Sequence, residues 1–291
     1  MTEVELVVDA KATLGEGPSW DHENQLLYWV DIVESQIFIY DPDAKMNRKI
    51  PLEQMPGAVV QRKSGGAIAA LDKGFHTINL ETDELKQIHD PEPHLPGNRF
   101  NDGKCDPAGR FWAGTIDENR DGNAALYCLD IDMKVTKKID NVSNSNGLAW
   151  SLDSEYFYYI DTPTQKVVRY EYEPSTGDIQ NPQDVILVPE EEGKPDGMTI
   201  DTEGMLWIAH WGGSKVSRWN PMTGDQIQEI AVPARNVTSC TFGGKDLNEL
   251  FITTARKGMD KDELETYPNA GGLFKVTFDE VKGIPSPKFG G

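Results

Sequence analysis

The feature that most constrains this chain is an internal repeat. A polar or Gly-containing opening, an apolar stretch, an Asp/Gly turn and an aromatic-rich alternation recur in that order. The pattern reads GEGPSWDHENQLLYWVD at 15–31, NDGKCDPAGRFWAGT at 101–115, SNGLAWSLDSEYFYYID at 145–161 and PDGMTIDTEGMLWIAHW at 195–211. A weaker copy, TSCTFGGKDLNELFITTA, covers 238–255. Aligned on Glu16, Asn101, Asn146, Asp196 and Ser239, the later steps are 45, 50 and 43 residues, and the first, 85, is about twice that. A divergent copy near 60–71 fills the gap, which makes six units.

Each unit divides into short β-branched and aromatic runs, such as LLYWVD, FYYID, LWIAHW and LFITTA, separated by turns such as DPAG, DTEG and PSTGD. Strand runs bounded by turn residues, with a period of 40–50 residues and no sustained 3.6-residue periodicity, are the pattern of a β-propeller. The expected fold is therefore all-β: one six-bladed propeller over residues 1–291, with four strands per blade and a metal site in its central channel. MDKDELETYP has room for a short helical turn only. The seven tryptophans fall mostly in strand patterns and should pack between blades, with Trp211, beyond its strand, as the candidate pocket residue.

Composition narrows the class. The 48 acidic against 28 basic side chains give a net charge of −20, which repels nucleic acid and anionic membrane surfaces. No apolar run approaches the roughly 18 residues needed to span a bilayer. The start MTEVELVVDAKATLGEG lacks the basic and apolar regions of a secretory signal, so a cytoplasmic protein is expected. Three cysteines in a chain of this length make no disulfide framework and read as buried thiols.

In a propeller the first strand of each blade lines the channel. The openings Glu16, Asn101, Asn146 and Asp196 then meet at one end, each from a different blade. Two carboxylates and two carboxamides sharing one axial volume call for a hard divalent cation, with Ca2+, Zn2+, Mn2+ and Mg2+ all open. The second strands run back, so Asp31, Thr115, Asp161, His210 and Thr254 return to that end. Alternation along LWIAH puts Leu206, Ile208 and His210 on one face. His210 thereby reads either as a histidine hydrogen-bonded within the pocket wall or as a substrate contact that tunes which ligand fits.

The segments GEGPSWD, NRFNDGKCDPAGRFWAGT, SNGLAWSLD, PDGMTIDTEGMLWIA, CTFGG and TTARKGMD resemble the regucalcin (senescence marker protein), gluconolactonase and luciferin-regenerating enzyme family, in order and over about 15–282. The resemblance implies a six-bladed propeller with one divalent metal, hydrolysing aldonolactones such as gluconolactone. It implies Glu16, Asn146 and Asp196 as metal ligands, Asp196 also as catalytic base, and Arg99 and Asn101 as substrate contacts. Glu118 or Asn119, in AGTIDENRDGN, takes the place of a further family substrate contact. The expected partner is a small sugar lactone, and the expected state a monomer or weak homodimer.

Several motifs carry nothing. DENRDG at 117–122 copies the opening of an EF-hand loop, but the twelfth position is Cys128 rather than Glu. No G-x-S-x-G elbow, H-E-x-x-H or P-loop occurs. Two rivals to a lactonase stand. One is a regucalcin-like calcium-binding regulatory protein using the same ligands; the other is a promiscuous metal-dependent esterase or organophosphate hydrolase. Arg99 and Asn101 discriminate, since a pure ion sensor has no use for groups aimed at a sugar.

Overall fold

The short alternating runs pair into six four-stranded antiparallel sheets. The computed structural model describes residues 3–119 and 121–291; Met1, Thr2 and Arg120 lie outside them. The first strands of the blades are Gly15–Asp21, Pro56–Gln61, Asn98–Cys105, Ser145–Trp150, Lys194–Ile200 and Asn236–Gly243. Each packs on the next and the sixth packs on the first, so they close a ring around a channel.

Two boundaries differ from the sequence reading. The divergent second blade begins at Pro56, four residues before Val60, and its second strand is Ala67–Leu71. In the sixth blade the register shift falls at Thr238, between Val237 and Ser239, so Thr238 rather than Ser239 matches the other openings. The repeat also gave no sign of the ring closure. The outermost strand of the sixth blade is Val4–Val8, from the start of the chain, antiparallel to Leu273–Thr277. The strand from the other terminus gives the sixth blade its fourth strand and pairs the edge of Leu273–Thr277, which would otherwise stand open at the seam.

Alternate residues of each strand face the neighbouring blade, and aromatic pairs join the blades. Trp20 stacks on Phe251 at 5.5 Å between the first and sixth, and Phe75 meets Phe100 at 4.7 Å between the second and third. Trp112 contacts Trp150 edge-on at 5.7 Å, and Trp207 contacts Phe242 at 5.8 Å. Such pairs add roughly 0.5–1.5 kcal/mol each beyond their area burial. Cys105, Cys128 and Cys240 are buried and free. A short α-helix, Lys261–Thr266, is opened by an Asp260–Glu263 capping box.

At the far end of the channel, Asp106 and Asp201 hold their turns. Asp106 accepts one backbone N–H of the following loop, from Arg110, and Asp201 accepts two, from Glu203 and Met205; each also accepts an indole N–H, from Trp112 at 3.0 Å and Trp207 at 2.9 Å. The C-terminal segment crosses this face, with Phe289 fully buried and Lys288 paired to Asp21 at 3.0 Å.

Candidate active site

Every first strand slips register against its second strand near the channel mouth. The slips fall at Gly17–Pro18, Gly57, Asn101–Asp102, Asn146–Gly147, Asp196–Gly197 and Thr238. A bulge bends a strand and re-aims its side chains. Glycine is required within it, as at Gly17, with φ 54°, and at Gly197, where a Cβ would overlap the Ser239 side chain. The second blade offers Gly57 at this level, so it sends no side chain into the channel.

Glu16, Arg99, Asn101, Asn146 and Asp196 all line one cavity of about 160 Å³, joined at its rim by Lys194, Trp211 and Lys257. The side chains are tied together. Asn101 Nδ2 donates to Asn146 Oδ1 at 3.0 Å and to Ser145 O at 2.9 Å. Asn146 Nδ2 donates to Thr162 Oγ1 at 2.8 Å, and Thr162 donates in turn to Pro195 O at 2.8 Å. Those bonds orient both amides and leave one lone pair of Asn146 Oδ1 free at the cavity. Arg99 Nη1 donates to Phe100 O and to Asn101 Oδ1, both at 3.0 Å, which fixes the guanidinium plane.

The carboxylates are less content. Burial first, and then the charge of Asp102, pushes Glu16 up to about 8. Burial, then Glu16 and Asp102, holds Asp196 well above the usual carboxylate range. Glu16 Oε2 accepts from Gly17 N at 2.9 Å, but Asp196 Oδ1 is buried with no donor. An orphaned carboxylate oxygen beside a second carboxylate is a place short of positive charge. An all-oxygen set of this kind fits a hard divalent ion. Among the described residues no group of three or more His, Cys, Asp or Glu is placed to hold a metal. Two carboxylates therefore depend on the Asn146 carboxamide oxygen to complete a protein ligand set.

Asp102 escaped the sequence reading. It follows Asn101 within the bulge, is 4% exposed, and accepts from Gly103 N at 2.7 Å. Burial raises its pKa, while the neighbouring Lys104 lowers it. The Lys104 ammonium donates to Met198 O at 2.6 Å across the channel. Asp102 thus adds a third buried carboxylate to Glu16 and Asp196, with the half-buried Lys104 beside it.

The strand-return residues arrive at the expected end, yet they serve the backbone. Asp31 accepts from Thr13 N and Leu14 N at 2.8 and 3.0 Å, just ahead of Glu16. Asp161 accepts from Ser143 N and Asn144 N at 3.1 and 2.8 Å, just ahead of Asn146. His210 holds the same position in the fifth blade, and here the structure departs from the substrate-contact expectation. Its side chain is fully buried and does not border the cavity. Nδ1 contacts Glu192 O at 2.9 Å, where only a donated proton makes a hydrogen bond. Nε2 is then the acceptor, facing the Ser217 hydroxyl, which also receives Trp219 Nε1. Burial pushes the imidazole down to about 4, which keeps it neutral.

Glu118 stands at the rim, outside the cavity lining, with Oε1 3.5 Å from Arg99 Nε. Asn119 is exposed, and its backbone N–H is bound to Asp117 Oδ1 at 2.9 Å. Trp211 does border the cavity.

Comparison with known proteins agrees with this geometry. Residues 14–256 match the family described as the SMP-30/Gluconolactonase/LRE-like region. YvrE of Bacillus subtilis (strain 168), provisionally named a sugar lactone lactonase, is 45% identical over 283 residues, covering 97% of each chain. A solved luciferin-regenerating enzyme superposes with a TM-score of 0.94 at 32% identity and covers 100% of both chains. A calcium-binding protein, regucalcin, from Agrobacterium tumefaciens str. C58 gives a TM-score of 0.94 at 28% identity, with 99% and 97% coverage.

Proposed function

The chain belongs to the SMP-30/gluconolactonase/LRE-like family, and from that premise we propose that it is a metal-dependent sugar lactonase, opening aldonolactones of the gluconolactone type to aldonic acids in the cytoplasm. One observation carries the reading. Two buried carboxylates and two oriented carboxamides from four blades border one cavity, with Asp196 Oδ1 lacking a donor and Arg99 alongside.

The ligands would be Glu16, Asn146 and Asp196, and a divalent ion held there supplies Lewis acidity toward a lactone carbonyl. The chain's own residues do the rest. Arg99, with Nη1 committed to Phe100 and Asn101 and Nε facing Glu118, offers Nη2 to sugar hydroxyls and so orients the ring. Asp196 Oδ1 takes a proton from water as the water oxygen attacks the carbonyl carbon. When the ring C–O bond breaks, the same carboxyl returns the proton to the departing oxygen, which becomes a hydroxyl. No nucleophilic serine is needed. A calcium-sensing role would use the same ligands, but it leaves the fixed plane of Arg99 without employment.

The test is chelation followed by pH-stat assay of several aldonolactones with Ca2+, Zn2+, Mn2+ and Mg2+ added back. Turnover should vanish on chelation and return with at least one ion. Undiminished turnover by demonstrably metal-free protein would overturn the reading.

A further inference from the structure

Arg99 borders two spaces. One is the 160 Å³ cavity; the other is a groove of about 330 Å³ between the corner at Asp72 and the connection 90–97. Asn98 and Glu118 supply further polar groups to this groove, and Met55 and Leu95 supply apolar ones. Asp72 Oδ1 is shielded from solvent, and no protein group donates to it. Its charge nevertheless reaches Arg99. The far wall is braced from beneath: the buried Glu92 receives Asn98 Nδ2 at 2.9 Å, Thr115 Oγ1 at 3.1 Å and Tyr127 OH at 2.9 Å. The blade that offers only Gly57 to the channel contributes Asp72 and Met55 here instead.

We propose that this groove is a second carbohydrate subsite, and that the preferred substrates are neutral aldonolactones bearing a further sugar ring. The proposal rests on the lactonase reading of the adjoining cavity. Size supports it, because the cavity alone falls below the roughly 300 Å³ at which ligand sites usually begin, whereas cavity and groove together lie well inside that range. Chemistry supports it too. Sugar hydroxyls donate to carboxylates while their C–H faces lie on apolar side chains, and both surfaces are present. The carboxylates of Asp72, Asp90, Glu92 and Glu118 outnumber the cations Lys73 and Arg99 along the groove, which disfavours a phosphorylated or uronic second group. Asp72 acts as a specificity residue: its carboxylate lines the groove with no protein donor on the shielded Oδ1, so a ring hydroxyl that donates to the groove-facing oxygen gives it a partner.

Calorimetry on the metal-loaded protein with two unreactive neutral probes, glucitol and cellobiitol, tests binding without needing turnover. Cellobiitol should bind about tenfold more tightly, the weight of one hydrogen bond to a charged group. Asp72→Asn should reduce that preference to under about threefold, with glucitol affinity changed less than cellobiitol affinity. The ratio of kcat/KM for cellobionolactone over gluconolactone should fall in parallel, by at least about threefold. Equal affinity for the two alditols, or equal losses for both in Asp72→Asn, would overturn the subsite. Failure of every lactone to react would instead strike the lactonase reading, with the alditol titrations still deciding the groove.

Discussion

Replacing Glu16 with Gln should stabilise the metal-free protein while removing its affinity for a divalent ion. Burial, then Asp102, raises the Glu16 carboxyl from 4.5 to about 8. Between those values the unfolded chain has released the proton and the folded chain still holds it. Stability from this group is therefore full below the unfolded value and is lost as pH rises through the folded one, at about 1.4 kcal/mol per pH unit. At pH 7 the accumulated cost is roughly 3 kcal/mol, which in a chain of this size is worth on the order of 6–12 °C in Tm. Gln carries no such titration. Thermal melts of chelated wild type and Glu16→Gln, taken from pH 4 to 8.5, isolate the effect, because the large net negative charge is nearly common to both. The variant should gain on the wild type as pH rises from about 5 to 8, and the gap should close below about 4.5. Adding the ion should restore the wild type by mass action and leave the variant unmoved. A pH-independent gap, or a variant less stable than the wild type at pH 8, would refute the account of a carboxylate forced to hold its proton.

Asp196→Asn should cut lactone turnover by about 10²–10⁴-fold in folded protein; near-normal turnover would remove Asp196 as the base. Arg99→Ala should reduce kcat/KM for a sugar lactone more than for a simple lactone without ring hydroxyls, by roughly 0.5–3 kcal/mol of transition-state binding. Equal losses on the two substrates would make Arg99 structural. His210→Ala should leave metal affinity and lactone preference in place but lower Tm, since it strands Glu192 O and the Ser217 hydroxyl. Because the folded imidazole titrates at about 4 and the free one near 6.5, wild-type stability should fall as pH drops from 6.5 toward 4, and this part of the acid sensitivity should disappear in the variant. A changed lactone preference at unchanged stability would return His210 to the cavity.

The fold was open to reading because a propeller blade writes its period into the chain. Asp106 and Asp201 mark turns at matching places, and the indoles of Trp112 and Trp207 follow each by six residues to bond it. The second blade was harder to align because its motif had eroded: Gly57 stands where the others carry oxygen, and no tryptophan marks the following strand. The closing strand Val4–Val8 could not be seen at all, since VELVV belongs to no copy of the repeat and its partner lies at the other end of the chain.

The site divides along the same line, between what position implies and what direction requires. Glu16, Asn101, Asn146 and Asp196 were findable because equivalent openings must meet on the axis. Asp31, Asp161 and His210 also share a register position, but a strand end can face the channel or the incoming backbone, and alternation does not choose. The two carboxylates accept amide protons from that backbone, and the histidine donates to a carbonyl of it, so chemically unlike side chains do one job. Asp102 was hidden for the opposite reason. Regular alternation sends the neighbour of Asn101 to the other face, and only the bulge frees both. What the bulges assemble is a site that opposes folding, with three carboxylates in a channel that satisfies none of them fully. The protein tolerates this because the blade interfaces supply stability elsewhere, and the same unmet charge that raises Glu16 is the affinity with which a cation would be held.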